Sequence, residues 1–185
     1  MPDTLLPPSV GIKHPDRLLI DGQWVKPSTD NKIDVVSPNT EETIIRIAEG
    51  READIDRAVA AARKAFDEGP WPHLSHAERA DTLRAIGEQL RARNAEFAYV
   101  WTEQMGALSS FTGNAGNDSA KTFDYFAGLT ATFPWEEERQ PGFGGGVSMV
   151  VREPVGVVAA ICPWNGPLGT MVPRWRRRCW PVAPW

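Results

Sequence analysis

The feature that most constrains the fold is the stretch VGVVAAICPWNGP at residues 155–167. Residues 155–161 are small or apolar and rich in Val, which predicts a strand buried on both faces in a parallel sheet. Pro163 ends this strand, because proline has no N–H for a sheet hydrogen bond. Ligands bind at the carboxyl ends of such strands, so Asn165 is placed where its side-chain amide can donate to a substrate oxygen.

Asn165 also has a purely structural interpretation. Asparagine is common in turns, because its side chain bonds the nearby backbone and tolerates left-handed conformations. Spacing alone favours this turn role, and the wider sequence context decides between it and a role in binding.

Several motifs along the chain together resemble the aldehyde dehydrogenase superfamily. They are LLIDGQWV (18–25), VVSPNTEETI (35–44) and EPVGVVAAICPWNGPLGTMVP (153–173), in which a strand leads into a PWN motif. The resemblance covers residues 18–173. It implies an α/β fold, of which this chain holds the N-terminal part: a helical layer, small antiparallel hairpins and the first strand of a doubly wound nucleotide-binding sheet.

The resemblance implies oxidation of an aldehyde to a carboxylic acid with NAD or NADP. In the family a cysteine thiolate attacks the carbonyl, hydride passes to the nicotinamide, and a glutamate activates the water that hydrolyses the thioester. Asn165 matches the asparagine that donates to the oxyanion. Ile161, Pro163 and Trp164 match the segment along the nicotinamide-ribose end of the cofactor. The nucleophilic cysteine and the general-base glutamate of the family lie beyond residue 185, so the chain is expected to be inactive alone.

Composition restricts the classes of partner and compartment. The 185 residues are 42% hydrophobic and carry a net charge of −4, which fits a globular domain and argues against general nucleic-acid binding. Neither a secretory signal nor a membrane-spanning run of ~20 apolar residues is visible. Cys162 and Cys179 are too few for a disulfide framework, which predicts a cytoplasmic protein. Cys162 does not match the nucleophile of the family and is interpreted as a small buried hydrophobe.

Periodicity and turn residues predict the remaining elements. Asp21-Gly22 predicts a hairpin within 18–25. Further strands are predicted at 33–36, 43–48 and 148–152, and helices over 52–68, 75–93, 94–106 and 119–132. The segments 108–118 and 134–146 are predicted to be loops. The glycine run at 142–146 lacks the full G-x-G-x-x-G spacing, so it is interpreted as a flexible connection.

The predicted organisation has five segments. They are an irregular N-terminal arm (1–16), the N-terminal part of an NAD(P)-binding domain (17–136), an oligomerisation β-hairpin (137–154), the first Rossmann-type strand with the PWN motif (155–173) and a tail (174–185). The hairpin reaches a partner subunit in the family, so the intact protein is expected to be a homo-oligomer acting on a small aldehyde. The alternative function is a non-catalytic interaction module that docks onto intact homologous subunits.

The tail RWRRRCWPVAPW, residues 174–185, has four arginines and three tryptophans and resembles nothing upstream. Family members continue after the MVP of this motif in a pattern like KVAPALLAGCTV. Written in GC-rich codons, the tail becomes KVAPALLAGCTV when the reading frame moves back by one base. We therefore hypothesise a frameshift after about Pro173. A tail that binds nucleic acid or an anionic membrane is the weaker alternative, because the frameshift already explains the composition.

Overall fold

The computed structural model describes residues 10–179, with side-chain environments for residues 10–173. This part consists of antiparallel strand pairs and a layer of helices. The strands are β1 (Leu18–Ile20), β2 (Gln23–Val25), β3 (Lys32–Val36), β4 (Thr43–Ala48), β5 (Glu136–Arg139) and β6 (Ser148–Val151). The helices are α1 (Glu52–Glu68), α2 (His76–Ala92), α3 (Asn94–Met105), α4 (Ser109–Thr112), α5 (Ala115–Gly128) and α6 (Pro167–Cys179). Single 3-10 turns lie at Trp71–His73 and Leu129–Ala131.

The strands pair in sequence order, β1 with β2, β3 with β4 and β5 with β6. Asp21 and Gly22 have φ of 54° and 71°, the left-handed conformation that a tight hairpin turn requires at both central positions. The hairpin predicted from the Asp-Gly pair is therefore confirmed. The predicted strands at 33–36 and 43–48 are also confirmed as β3 and β4.

Asp54 ties helix α1 to the loop that follows β2. Its carboxylate is 2% exposed. It accepts hydrogen bonds from the Arg51 N–H (2.9 Å), the Ser28 N–H (2.9 Å) and the Ser28 hydroxyl (2.8 Å), and it pairs with Arg57 at 2.6 Å. These donors, the Arg51 N–H foremost, hold the pKa of Asp54 well below its ordinary value of 3.8. The carboxylate also lies in the first turn, where the helix dipole favours negative charge.

We expect Asp54→Asn to lower the urea midpoint of unfolding at neutral pH, because a neutral amide cannot accept all of these hydrogen bonds. The pKa of Asp54 is lower in the folded than in the unfolded state. Its stabilisation is therefore complete above pH 3.8 and is lost progressively below that pH. Urea titrations of parent and variant across this range check the expectation. Asp56→Asn, exposed on the same helix, is the control. A parent–variant gap independent of pH would contradict the role of the charge.

The hydrophobic core lies between α2, α5 and α6. Leu83 of α2 and Phe123 of α5 are fully buried, and Val172 of α6 is 1% exposed. The buried cluster comprises Ala80, Leu83, Leu90, Ala115, Ala120, Phe123, Ala127, Leu168 and Val172. The buried residues of α2 and α5 recur at helical spacing, so each helix turns one face to the core. The aromatic residues Phe97 and Trp101 of α3 pack against the cluster, as the periodicity indicates.

Helix α4 lies entirely within the segment 108–118 and α5 begins inside it, so the prediction of a continuous loop there was wrong. The Asn94 Oδ1 accepts the N–H groups of Gly116 (2.9 Å) and Asn117 (3.2 Å), and its Nδ2 donates to the Gly113 carbonyl (2.8 Å). The cap is thus supplied by a residue 22 positions away, and the local sequence carries no sign of it. Gly116 lies where α5 passes close to α2. Glycine fits this position because a Cβ there would lie 2.5 Å from the Leu90 carbonyl oxygen.

We expect Gly116→Ala to lower the free energy of unfolding by about 1–3 kcal/mol, because α5 must move away from α2 and α3 to admit the methyl group. Gly128→Ala in the same helix is the matched control. Gly128 has φ −69° and ψ −27° and no atom within 4 Å of an added Cβ, so stability should be unchanged or slightly higher. Denaturant unfolding followed by circular dichroism measures both variants. Equal effects at the two glycines would contradict the tight crossing.

Residues 155–161 do not form the strand that their composition predicts. They have no strand partner within residues 10–179, and Gly156 has φ 102°. Val155 is 64% and Ile161 81% exposed. A strand exists only when a neighbour completes its ladder of hydrogen bonds, and the described residues supply no neighbour for this one. Apolar side chains of α1 are also uncovered, with Ile55 60% and Val59 52% exposed.

Strand β5 forms within the segment 134–146 that the sequence predicts to be a loop. Its residues EEER show no apolar alternation, so the strand depends on pairing with β6, in the register Glu136↔Val151 to Arg139↔Ser148. We call β5, β6 and the loop between them (136–151) the hairpin arm. At its base Arg152 pairs with Glu137, lies 5.3 Å above the Phe133 ring and donates to the Pro134 carbonyl. The hydrogen bond from Arg152 lowers the pKa of Glu137.

Candidate functional site

Residues 162–166, CPWNG, form the turn between segment 155–161 and helix α6; we call it the PWN turn. Helix α6 begins at Pro167, a residue suited to the first helical position because no N–H is needed there. The Thr170 N–H and hydroxyl donate to the Gly166 carbonyl at 3.1 and 2.7 Å. Leu168 is 6% exposed and anchors the helix in the core. Helix α6 therefore holds the end of the turn in place.

Asn165 lies on the exposed side of the PWN turn. Its backbone carbonyl accepts a hydrogen bond from the indole Nε1–H of Trp101 in α3, at 3.1 Å. Its side-chain amide bonds none of the residues 10–173, so it does not make the local bonds of an Asx turn. The amide is thus available to a ligand, as the binding interpretation requires.

The three residues that match the cofactor segment lie beside Asn165 on the same exposed stretch. Ile161 is 81% and Trp164 78% exposed, and Pro163 is also exposed. Such apolar side chains at the surface, next to an amide with no partner among residues 10–173, offer contact area to a flat ligand. Together with Asn165 they form a largely apolar exposed surface, and their role in holding the cofactor stays a prediction.

Cys162 precedes Pro163 and is half-buried. Its Sγ lies 3.8 Å from the Ala160 carbonyl oxygen, and no base among residues 10–173 bonds the thiol. A nucleophilic cysteine needs an adjacent base or cation to form the thiolate, so this environment agrees with a structural role. The side chain of Cys179 lies outside the described residues.

Trp101 is the residue of this site that the sequence does not reveal. Its helical spacing with Phe97 predicts a core residue, and it does pack against the core. The second role, a hydrogen bond to a turn 64 positions away, has no local signal in the sequence.

Within residues 10–179, no helix combines the length and apolar character needed to cross a membrane.

Known proteins resemble this chain in sequence and in fold. The sequence model described as "Aldehyde dehydrogenase family" matches residues 24–176, which include Trp101 and the PWN turn. A betaine aldehyde dehydrogenase of Bacillus subtilis is 33% identical over 167 residues, covering 90% of this chain and 32% of that protein. The chain thus spans about a third of that relative.

Two crystal structures superimpose on the fold. Betaine aldehyde dehydrogenase from Staphylococcus aureus in complex with NAD⁺ has a TM-score of 0.84 and 32% identity, over 90% of this chain and 33% of that one. An aldehyde dehydrogenase of Mycobacterium tuberculosis complexed with NAD⁺ has a TM-score of 0.83 and 38% identity, over 90% and 34% of the two chains. The family match at residues 24–176 contains the VVSPNTEETI motif, the helical layer and the PWN turn. The chain therefore belongs to the aldehyde dehydrogenase family.

Proposed function

We propose that this chain is the N-terminal part of an enzyme that oxidises an aldehyde to a carboxylic acid with NAD or NADP. The observation that carries the proposal is the Asn165 amide, which is exposed and unpaired within residues 10–173 on a turn held by α6 and Trp101. Two further facts support it: the family match, and the NAD⁺ bound in the two similar crystal structures.

In this proposal Asn165 donates a hydrogen bond to the carbonyl oxygen of the aldehyde. The bond strengthens as negative charge develops on that oxygen, so the amide stabilises the transition state more than the substrate. Ile161, Pro163 and Trp164 would hold the nicotinamide-ribose end of the cofactor against their apolar surface. When bound, the cofactor supplies the hydride acceptor.

We further propose that the 185-residue chain does not catalyse this reaction alone. By the resemblance, the family's nucleophilic cysteine and general-base glutamate align beyond residue 185, and no activating base among residues 10–173 bonds Cys162. We also propose that residues 174–185 are read out of frame. The family match ends at residue 176, shortly after Pro173.

A comparison of two proteins tests these statements. One is the 185-residue chain, and the other continues from Pro173 in the alternative frame to its natural end. We expect NAD-dependent aldehyde oxidation in the extended protein only. Activity in neither would contradict the proposed reaction, and activity in the short chain would contradict its inactivity and make Cys162 the first residue to mutate. Sequencing the DNA at the Pro173 codon tests the frameshift, which other codons in that frame would exclude.

The exposure of the hairpin arm supports a second candidate, a non-catalytic module that docks onto intact homologous subunits. In β6, Met149 is 47%, Val150 43% and Val151 55% exposed, although these residues are apolar. β6 pairs only with β5 within residues 10–179, and an apolar strand at a sheet edge is a surface that another chain can cover. Arg152 pairs with Glu137 at the base of the arm.

Co-purification with a full-length homologue tests this second candidate. Association should weaken in Met149→Asp, because the charge would be buried at the contact. Leu19→Asp is the matched control: Leu19 is 60% exposed in β1, outside the arm. Failure of the unaltered chain to associate would rule the module out, and an equal loss in both variants would exclude the arm as the contact.

A further inference from the structure

The PWN turn is held mainly by the helical layer. On its N-terminal side, segment 155–161 has no strand partner within the described residues, and Ile161 is 81% exposed. On its C-terminal side, α6 is anchored by Leu168 and Val172, which are 6% and 1% exposed. The direct hydrogen bond from another helix to Asn165 comes from Trp101.

The position of Trp101 allows its indole to fix the orientation of the Asn165 peptide group as well as its distance. Its ring is half-buried against the core and meets the Phe111 ring edge-on, with the centroids 5.4 Å apart. These contacts restrict the rotamer of the indole. The indole N–H is only a donor, so its 3.1 Å bond to the Asn165 oxygen orients the peptide group between Asn165 and Gly166.

We propose that Trp101 is a positioning residue for Asn165. Its hydrogen bond to the backbone carbonyl sets the orientation of the Asn165 peptide, and this orientation aims the side-chain amide toward the substrate oxygen. The inference rests on the proposed function, because only that function gives the direction of the Asn165 amide a role in catalysis. The contact between Trp101 and Asn165 can be tested without any activity. Catalytic geometry is sensitive, since a misplacement of about 1 Å can cost about 10²-fold in rate.

The first experiment uses the unaltered 185-residue chain labelled with ¹⁵N at tryptophan. We expect the Trp101 indole proton to exchange with solvent at least about tenfold more slowly than that of Trp24, because only the former donates to a protein acceptor in the structure. Trp24 is 48% exposed in β2 and serves as the internal reference. Equal exchange rates at the two indoles would overturn the proposal, and no variant has to fold for this result.

The second experiment compares Trp101→Phe with Trp24→Phe, each labelled with ¹⁵N at asparagine. Phenylalanine keeps the ring packing and removes the donor. We expect the backbone and side-chain amide signals of Asn165 to shift in Trp101→Phe and to stay unchanged in Trp24→Phe. The signals of Asn94, which caps α5, report whether the core is intact. Unmoved Asn165 signals in Trp101→Phe would overturn the proposal. The activity of the extended protein decides the proposed function separately.

Discussion

Phe123→Ala is expected to lower the free energy of unfolding by about 3–5 kcal/mol, which is a large part of the stability of a typical domain. Phe123 is fully buried in the core formed by α2, α5 and α6, and a core relaxes only partly into the cavity that a lost ring leaves. Urea unfolding followed by circular dichroism gives the midpoint and the slope.

Phe143→Ala is the matched control for the same change of side chain. Phe143 is 99% exposed in the loop of the hairpin arm, so its removal should leave stability within about 0.5 kcal/mol of the parent. Phe123→Leu should lose less than Phe123→Ala, because most of the volume is kept. A loss below about 1 kcal/mol for Phe123→Ala would mean that the α2–α5–α6 core is not the centre of stability.

Asn165→Ala in the extended protein is expected to lower kcat by about 10²–10³-fold with little change in KM, because in the proposed reaction the lost hydrogen bond acts mainly on the developing oxyanion. In the 185-residue chain the same substitution should leave the free energy of unfolding unchanged, since the amide is exposed and bonds none of residues 10–173. Steady-state kinetics and denaturant unfolding measure the two effects.

Asn31→Ala controls for loss of an exposed asparagine amide elsewhere, in the loop between β2 and β3. It should leave kcat as it is in the parent. An Asn165→Ala enzyme with the parental kcat would contradict oxyanion stabilisation by this residue. A large loss of stability in the short chain would instead point to the turn-forming role of Asn165.

Local signals predicted α2 and α3 to within a residue or two of their ends. Ser75 and Glu78 form a capping box at the start of α2. Gly106 ends α3 with φ 76°, a conformation that glycine adopts without strain. Such caps act within one helical turn, so the residues that make them are neighbours in the sequence.

Contacts between residues far apart in the sequence could not be predicted, because their partners are not sequence neighbours. Asn94 starts α5 from another helix, and Trp101 reaches the carbonyl of Asn165 across 64 positions. Neither residue type nor spacing marks these pairs, because they meet only after the helices pack.

The sequence by itself determined the family, the hairpin turn at Asp21-Gly22, the helical periodicity and the position of Asn165 at the end of an apolar segment. Only the tertiary structure decided that segment 155–161 is unpaired, that α5 begins at Ala115 and that Trp101 holds the PWN turn. The physical reason is the range of the interactions. Turns, caps and amphipathic faces depend on residues a few positions apart, whereas strand pairing and contacts between helices depend on which surfaces the folded chain brings together.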